Sequence, residues 1–197
     1  ALFSETENNV ETVSFESDKD IPIDFAFYGA EKIKSVTLPA ELKEIGDLAF
    51  SSATALENIV IPSSVEVIGT GAFSNTENLK KLEMSEGLKT IKRNAFRFSG
   101  IEEITLPDSV EVIEDAAFGP VNNLKTINLP KNLKTVGELV LHGDSLETIT
   151  VPAEGELDEN STNGFSNINQ KEVHVVQGSF MDENFDTYFP LATKVVE

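Results

Sequence analysis

The chain has 197 residues, and its apolar content of 40% is enough to build a hydrophobic core. A formal net charge of −19 argues against nucleic acid as a partner, because phosphate binding requires clustered Lys and Arg. The absence of Cys excludes disulfides, Cys zinc sites and Cys nucleophiles, and no apolar run reaches the roughly 18 residues that predict membrane insertion.

A pattern of apolar residues recurs along the chain every 22 or 23 residues. Its clear copies begin at Ile33, Leu56, Leu79, Ile101 and Leu124, and weaker copies extend the series at both ends. A fixed period of this length predicts a solenoid, in which each copy forms one rung that only its neighbours can stabilise.

The chain is predicted to form a single domain with three parts. Residues 1–9 are interpreted as the end of a truncated preceding repeat, because Leu2-Phe3-Ser4 resembles the Ala49-Phe50-Ser51 that closes a later rung. Residues 10–176 form the solenoid. Residues 177–197 form a C-terminal cap.

Each rung combines an extended segment with turns. In one copy the alternation of Val36 and Leu38 predicts a short strand, and Pro39 ends it because proline has no N–H for a neighbouring strand. Residues 42–45 form a second, shorter extended segment behind it. The fold class is therefore a mostly β solenoid with a parallel sheet of about eight one-strand rungs of 22–24 residues. The strands are expected near residues 13–15, 36–38, 59–61, 82–84, 104–106, 127–129, 149–151 and 173–175.

One large apolar residue occupies the same position near the end of each rung. These residues are Phe27, Phe50, Phe73, Phe96, Phe118, Leu141 and Phe165. A column of this kind resembles a ligand-binding stripe, but a buried spine of stacked side chains is the favoured interpretation.

Two columns of charged residues change sign at every rung. The first consists of Glu11, Lys34, Glu57, Lys80, Glu102, Lys125, Glu147 and Lys171. The second consists of Asp20, Lys43, Glu66, Lys89, Glu111, Lys134 and Asp158. They predict a ladder of ion pairs that fixes the register of the rungs, with Lys80 close to Glu57 or Glu102. The alternative is a solvated, charged flank.

Catalytic and metal-binding patterns are weak. His142 and His174 lie on different rungs without a recognisable nucleophile, so no catalytic residue is predicted. The segment from Asp158 to Gly164 has part of the spacing of a calcium loop, but Asn169 stands where the bidentate Glu is expected. We expect no metal and no cofactor. Residues 153–164 contain few apolar residues and are expected to be the least ordered part of the solenoid.

The cap is predicted to contain one helix over residues 180–189. Ser179 and Asp182 have the spacing of a helix N-terminal cap. Four apolar side chains share one face of this helix, namely Met181, Phe185, Tyr188 and Phe189. The helix is expected to cover the open end of the last rung.

The candidate binding surface is the outward face of the strands. Its candidate ligand-binding residues are Ser35, Thr37, Asn58, Lys81, Glu83, Glu103, Thr105, Thr126, Asn128, Thr148 and Thr150. Because the face has no aromatic platform for sugars, a protein partner is favoured over a glycan. Charge is concentrated at Lys81, Glu83 and Glu103. The alternative is that these are ordinary solvated strand residues.

The repeat resembles the BspA-type leucine-rich repeat of bacterial surface and secreted proteins. The resemblance covers residues 10–197, and the segment from Val173-x-Val175 through Gly178-Ser179 to the final Val195-Val196-Glu197 resembles the terminal cap of that family. It implies a bacterial protein in an extracellular or cell-surface setting. Together with the residues it favours a non-catalytic binding scaffold of adhesion type, which is expected to be a monomer. The alternatives are a structural spacer without a ligand, a glycan-binding module and, least favoured, an unrecognised hydrolase.

Overall fold

The computed structural model describes residues 9–16, 19–142, 144–154 and 156–197. The repeat remnant expected at residues 1–9 therefore lies outside the described residues except for Asn9.

One strand from each rung lies on the same side of the solenoid, which we call the main face. These strands are β1 (Thr12–Ser14), β2 (Ser35–Thr37), β4 (Asn58–Ile61), β6 (Lys81–Met84), β8 (Glu103–Thr105), β10 (Thr126–Asn128), β12 (Thr148–Val151), β13 (Glu172–Val175) and β14 (Thr193–Val196). Every pairing between them is parallel, and residues at equivalent repeat positions are in register, as for Ile59 and Leu82. The predicted solenoid fold and its parallel strands are confirmed.

The shorter extended segments form a continuous second sheet behind the main face. Its strands are β3 (Glu44–Ile45), β5 (Val67–Ile68), β7 (Thr90–Ile91), β9 (Val112–Ile113) and β11 (Thr135–Val136). Apolar side chains from both faces fill the interior between the sheets. Because a single rung encloses too little apolar surface to fold alone, this shared core holds the stack together.

The main face differs from the predicted single sheet of about eight strands in two ways. β14 adds a ninth strand, because the β-branched Val195 and Val196 of the cap pair in parallel with β13. The strands also form two sheets, β1-β2-β4-β6 and β8-β10-β12-β13-β14, with no ladder between β6 and β8 among the described residues.

Two departures from the repeat coincide with the break between β6 and β8. Ser85 stands where Pro follows the strand in the neighbouring rungs. The connection from Phe96 to Ile101 is one residue shorter than in the three rungs before it. The Gly100 amide in this connection donates to the Thr76 carbonyl at 3.0 Å, so the chain enters β8 fixed to the rung before it. The shorter connection is not sufficient by itself, because the one from Leu141 to Leu146 is equally short and β10 still pairs with β12.

The phenylalanine spine is confirmed. Phe27, Phe50, Phe73, Phe96 and Phe118 are buried and stacked, with successive ring centroids 4.8–5.5 Å apart and ring planes within 9° of parallel. Leu141 and Phe165 are buried at the same position in the next two rungs. The ligand-stripe interpretation is therefore wrong, because no ring of the spine reaches solvent.

The cap contains two short helices instead of the one predicted. They are α1 (Phe180–Glu183) and α2 (Phe185–Tyr188). Asn184 separates them with φ −109° and ψ 19°, while its side-chain amide donates to the Phe180 carbonyl at 2.8 Å. The predicted Ser179 cap is confirmed, since its hydroxyl accepts the Asp182 amide at 3.2 Å. The four apolar residues predicted to share a face are all buried.

In the seventh rung, a 3₁₀ helix with hydrogen-bonded polar side chains lies next to β11, the last strand of the second sheet. A 3₁₀ helix covers Glu159–Asn163, and the hydroxyl of Ser161 accepts the Val136 amide at 2.9 Å at the edge of β11. The Asp158 carboxylate accepts the hydroxyls of Thr135 and Ser161, both at 2.8 Å. Hydrogen bonds thus replace some of the apolar contacts of the other rungs. Faster hydrogen exchange in residues 153–164 than in 108–115 stays a prediction.

The charged columns form some of the predicted ion pairs. Lys34 lies 3.0 Å from Glu11 in the first column, and in the second Glu111 lies 3.4 Å from Lys89 and 2.7 Å from Lys134. The pairing predicted for Lys80 is wrong, because no carboxylate of the described residues lies within ion-pair distance of it. The break between β6 and β8 separates Lys80 from the rung of Glu102.

We expect Glu111→Gln to lower the melting temperature at low salt and to lower it less at high salt, because exposed ion pairs are screened. The two lysines hold the pKa of Glu111 below its usual value, so this stabilisation is present at neutral pH and is lost as the pH falls through the lowered pKa. Thermal melts at two salt concentrations test this. Glu66→Gln, in the same column, is the matched control, and an equal, salt-independent effect of both variants would contradict the prediction.

Candidate functional site

A cleft opens on the main face where β6 and β8 are unpaired, and we call it the β6–β8 cleft. It has a volume of about 760 Å³. Leu82 and Met84 form part of its wall and are half-buried, whereas their counterparts Ile104 and Leu106 are buried. The break in the sheet therefore exposes side chains that the repeat places in the core.

The predicted ligand-binding residues all lie on strands of the main face. Each of them is exposed or half-buried, and those on neighbouring paired strands stand side by side, as Thr126 does with Glu103 and Thr148. The structure brings Lys81, Glu83, Glu103 and Thr105 together around the β6–β8 cleft. The others flank it on β2, β4, β10 and β12, at Ser35, Thr37, Asn58, Thr126, Asn128, Thr148 and Thr150.

The rim of the cleft carries more carboxylates than ammonium groups, although one carboxylate, that of Asp108, is paired with Lys131 at 3.1 Å. Four carboxylates line it against two ammonium groups, and the residues are Glu83, Glu86, Glu103, Asp108, Lys80 and Lys81. Lys81 lies 2.7 Å from Glu83, which raises the pKa of the Lys81 ammonium group. Glu103 has no ion-pair partner among the described residues, so its carboxylate remains available to a ligand.

Glu86 joins the two sides of the cleft beyond the strands. Its carboxylate accepts the backbone amides of Asp108 and Ser109, each at 3.0 Å. The Ser109 hydroxyl in turn accepts the Gly87 amide at 3.0 Å. The second sheet is also continuous behind the cleft, where Thr90 pairs with Val112. The opening is therefore held by hydrogen bonds at this end and at its back, and the Gly100–Thr76 hydrogen bond holds its other end.

Among the described residues, neither histidine contacts a nucleophilic side chain. His174 lies on β13 with Nδ1 2.6 Å from Glu197 Oε1 and Nε2 3.6 Å from Glu172 Oε2. His142 Nδ1 lies 2.6 Å from the Asn167 side-chain nitrogen. These contacts are structural, since His174 connects two neighbouring strands through carboxylates.

His174 gives the fold a pH-dependent contact. The hydrogen bond with Glu197, and then its charge, raises the pKa of His174 above its ordinary 6.5. A raised pKa in the folded state stabilises the protein below about pH 6.5, and this contribution is lost as the pH rises through the raised pKa. We expect the melting temperature of His174→Gln to fall further below that of the wild type in mildly acidic buffer than in mildly alkaline buffer. His142→Gln is the matched control, and an equal deficit at both pH values would argue against the contact.

A second groove lies on another side of the solenoid, and the sequence interpretation missed it. It has a volume of about 470 Å³, and its lining includes Arg93 and Arg97, the two arginines of the chain. Arg97 also stacks over the exposed ring of Phe98, with its guanidinium carbon 4.7 Å from the centroid. The repeat pattern could have indicated this groove, because Arg97 stands at the position where earlier rungs have Ser51 and Ser74.

The carboxylate of the segment with partial calcium-loop spacing is already engaged. Asp158 accepts hydrogen bonds from two hydroxyls and from the Asn160 amide, which lower its pKa. Within the described part of the chain, no cluster of His, Asp and Glu has the arrangement of a metal site. In the same part of the chain, no helix is long and apolar enough to cross a membrane.

Comparisons with known proteins agree with this architecture. The sequence profile of the BspA-type leucine-rich repeat region, with six copies, matches residues 1–119 and 45–172. No curated protein matches the chain in sequence.

Several solved structures resemble the chain, among them the following three. The pneumococcal vaccine antigen PcpA is 22% identical with a TM-score of 0.74, over 85% of this chain and 42% of that one. A leucine-rich repeat protein from Bacteroides ovatus is 23% identical with a TM-score of 0.56, over 78% of this chain and 40% of that one. The T. pallidum leucine-rich repeat protein TpLRR is 20% identical with a TM-score of 0.58, over 94% of this chain and 78% of that one. The chain thus shares its fold with these proteins and spans less than half of the first two.

Proposed function

Because this chain belongs to the BspA-type leucine-rich repeat family, we propose that it is a non-catalytic scaffold that binds a protein partner on its main face. The observation that carries the proposal is the β6–β8 cleft, where the sheet of the main face is interrupted. The outward strand positions at this cleft carry charged residues, whereas those of the other strands carry mainly small hydroxyl residues. A rigid sheet loses little conformational entropy on binding, so a modest patch around this cleft is sufficient for useful affinity.

The chemistry of the face favours a protein over the other candidate ligands. Its outward residues are mainly small hydroxyls and charges, and the described strands carry no outward aromatic ring on which a sugar would stack. Charged groups at Lys81, Glu83 and Glu103 suit the orientation and selection of a protein partner. A glycan-binding module is therefore the minor alternative.

We place this activity at the bacterial cell surface or in a secreted protein, where the scaffold would act as a monomer in adhesion. The family and the similarity to a pneumococcal vaccine antigen support this setting. The second candidate function is a structural spacer within a larger surface protein. The regular hydroxyl-rich strands away from the cleft favour it, because they are also what a solvated sheet without a ligand requires.

Partner capture followed by matched charge reversals tests the proposal. After a partner has been identified by pull-down, Lys81→Glu combined with Glu103→Lys should weaken its binding, because the pair reverses charge on both sides of the cleft. The control is Lys43→Glu combined with Glu66→Lys, at the residues that immediately precede β3 and β5 of the second sheet, which leaves net charge unchanged in the same way. Loss of binding in the control alone would refute binding on the main face, and no loss in either would favour the spacer.

A further inference from the structure

We infer that the groove lined by the two arginines binds a segment of a protein partner in which carboxylates alternate with apolar side chains. We call it the arginine groove, and its lining includes Arg93, Arg97, Ala116, Pro120, Leu139 and His142. The inference goes beyond the proposed function, because it adds a second site that is independent of the main face. Reversed charge, available donors and exposed apolar surface support it.

The charge of the groove departs from the repeat. Arg93 stands at the position that Asp115 and Glu138 occupy in the next two rungs, so it reverses the charge of its column. Arg97 replaces the serines of earlier rungs. Among the described residues, no carboxylate lines the groove. The groove is therefore a local basic site in a chain whose net charge is −19.

The two guanidinium groups are available to a ligand. Both arginines are exposed, and neither forms an ion pair with a carboxylate of the described residues. The two carboxylates of the next rung, those of Glu114 and Asp115, instead accept backbone amides. Glu114 accepts the amide of Arg93 at 3.0 Å, and Asp115 accepts the amide of Glu138 at 2.9 Å. The nearby acidic groups are thus already engaged by the main chain.

The contact between Arg97 and Phe98 prepares one guanidinium group for binding. Its central carbon lies 4.7 Å from the centroid of the ring, and this contact restricts the group without neutralising its charge. A planar guanidinium group has a fork of donors that matches the two oxygens of a carboxylate, which a lysine ammonium group lacks. The presence of both arginines of the chain in one groove therefore favours recognition of carboxylates.

Apolar surface lies in the same groove. Leu139 is 48% exposed, and Ala116 and Pro120 are also part of the lining. The backbone of Leu139 has φ 51°, a conformation that strains a bulky residue, and Gly71 occupies the same repeat position. Neither burial nor backbone preference explains a leucine at this position, whereas contact with a ligand does.

This combination favours a protein segment over a sugar. No aromatic ring on which a sugar would stack is among the lining residues in the described part of the chain. The groove volume of about 470 Å³ lies within the range of about 300–1,000 Å³ for ligand sites. The Debye length is about 8 Å at physiological ionic strength, so the guanidinium groups outweigh the distant acidic residues of the chain.

Titration of the intact, isotope-labelled chain with small probes tests the inference by NMR. The first probe is acetyl-Leu-Glu-Leu-Glu amide, the second replaces each Glu with Gln, and the third replaces each Leu with Gly. Methyl glucuronide is the fourth, a sugar that carries a carboxylate. Because the chain has only two arginines, both arginine Nε–H signals report on the groove. The backbone amide of Leu139 gives a readout that every variant retains.

We expect the Leu-Glu peptide to shift both arginine signals and to bind at least about fivefold more tightly than the other three probes. Arg93→Lys with Arg97→Lys keeps the charge but removes the forked donors, so it should weaken this peptide severalfold. Arg93→Gln with Arg97→Gln should weaken it by about tenfold. The matched control, Lys43→Gln with Lys125→Gln, removes the same charge outside the groove and should change the affinity by less than about twofold.

Each contrary result overturns a defined part of the inference. No shift with the Leu-Glu peptide, or equal effects of the two double Gln variants, removes the groove as the site. Equal binding of the Gln peptide excludes carboxylate recognition, and equal binding of the Gly peptide excludes the apolar contact. Equal or tighter binding of methyl glucuronide would make the groove a sugar site. The partner-capture test alters only Lys81 and Glu103 on the main face, so failure here leaves the proposed function standing.

Discussion

Phe73→Ala is expected to lower the free energy of unfolding by about 3–5 kcal/mol, the range measured when a fully buried aromatic side chain is truncated. The ring is fully buried and stacked between Phe50 and Phe96, with centroids 5.1 and 5.5 Å away and planes within 3°. The loss is large because both neighbours lose a stacking surface and the rigid backbones on either side limit collapse of the cavity. A chain of this size should melt roughly 6–20 °C lower.

Phe98→Ala provides the matched control for this prediction. Phe98 lies two residues after Phe96 but outside the spine, with 39% of its surface exposed. Its truncation removes the contact with Arg97 and no core packing, so we expect a loss of less than about 1 kcal/mol. Calorimetry of both variants checks the pair. If Phe73→Ala melted within about a degree of the wild type, the spine would contribute little to stability.

Phe189→Ala is expected to have an effect of the same size, about 3–5 kcal/mol. Phe189 is fully buried in the cap, 4.9 Å from Phe165 and 5.4 Å from Phe185 between ring centroids. It therefore continues the packing of the spine beyond the last full rung. Because each rung of a solenoid depends on its neighbours, loosening the cap should also destabilise β13 and β14.

Leu191→Ala is the matched control, because Leu191 lies in the cap but outside its buried core. Leu191 lies two residues after Phe189 and is 51% exposed, so its truncation should change stability by about 0.5 kcal/mol or less. Native-state hydrogen exchange distinguishes the two variants. We expect Phe189→Ala to accelerate exchange in residues 172–196 more than in 58–68, and a uniform acceleration would mean that the solenoid unfolds as one unit.

The rung of residues 79–100 differs from its neighbours on two surfaces. On the main face, Ser85 replaces the proline that follows other strands, and the sheet opens at the next rung. On another side of the solenoid, Arg93 and Arg97 line a groove beside exposed Phe98. This coincidence directs our functional tests to the middle of the solenoid.

The sequence alone determined the features that depend on periodicity. A repeat of 22 or 23 residues fixes which side chains stack, so the parallel strands, the buried column from Phe27 to Phe165 and the outward position of residues such as Thr105 and Thr126 were all predictable. The cap at Ser179 was predictable as well, because an N-terminal cap depends on residues only three positions apart.

Only the tertiary structure decided where the regular pattern ends. Pairing is lost between β6 and β8 but kept between β10 and β12, although the connections that lead into β8 and β12 are equally short, so no local propensity contains that information. The same holds for Lys80, which lacks the ion pair that its column predicted, and for β14, whose four residues become a strand because β13 offers them an edge. Long-range contacts override local preference wherever the repeat is imperfect, and the candidate binding site lies at such a position.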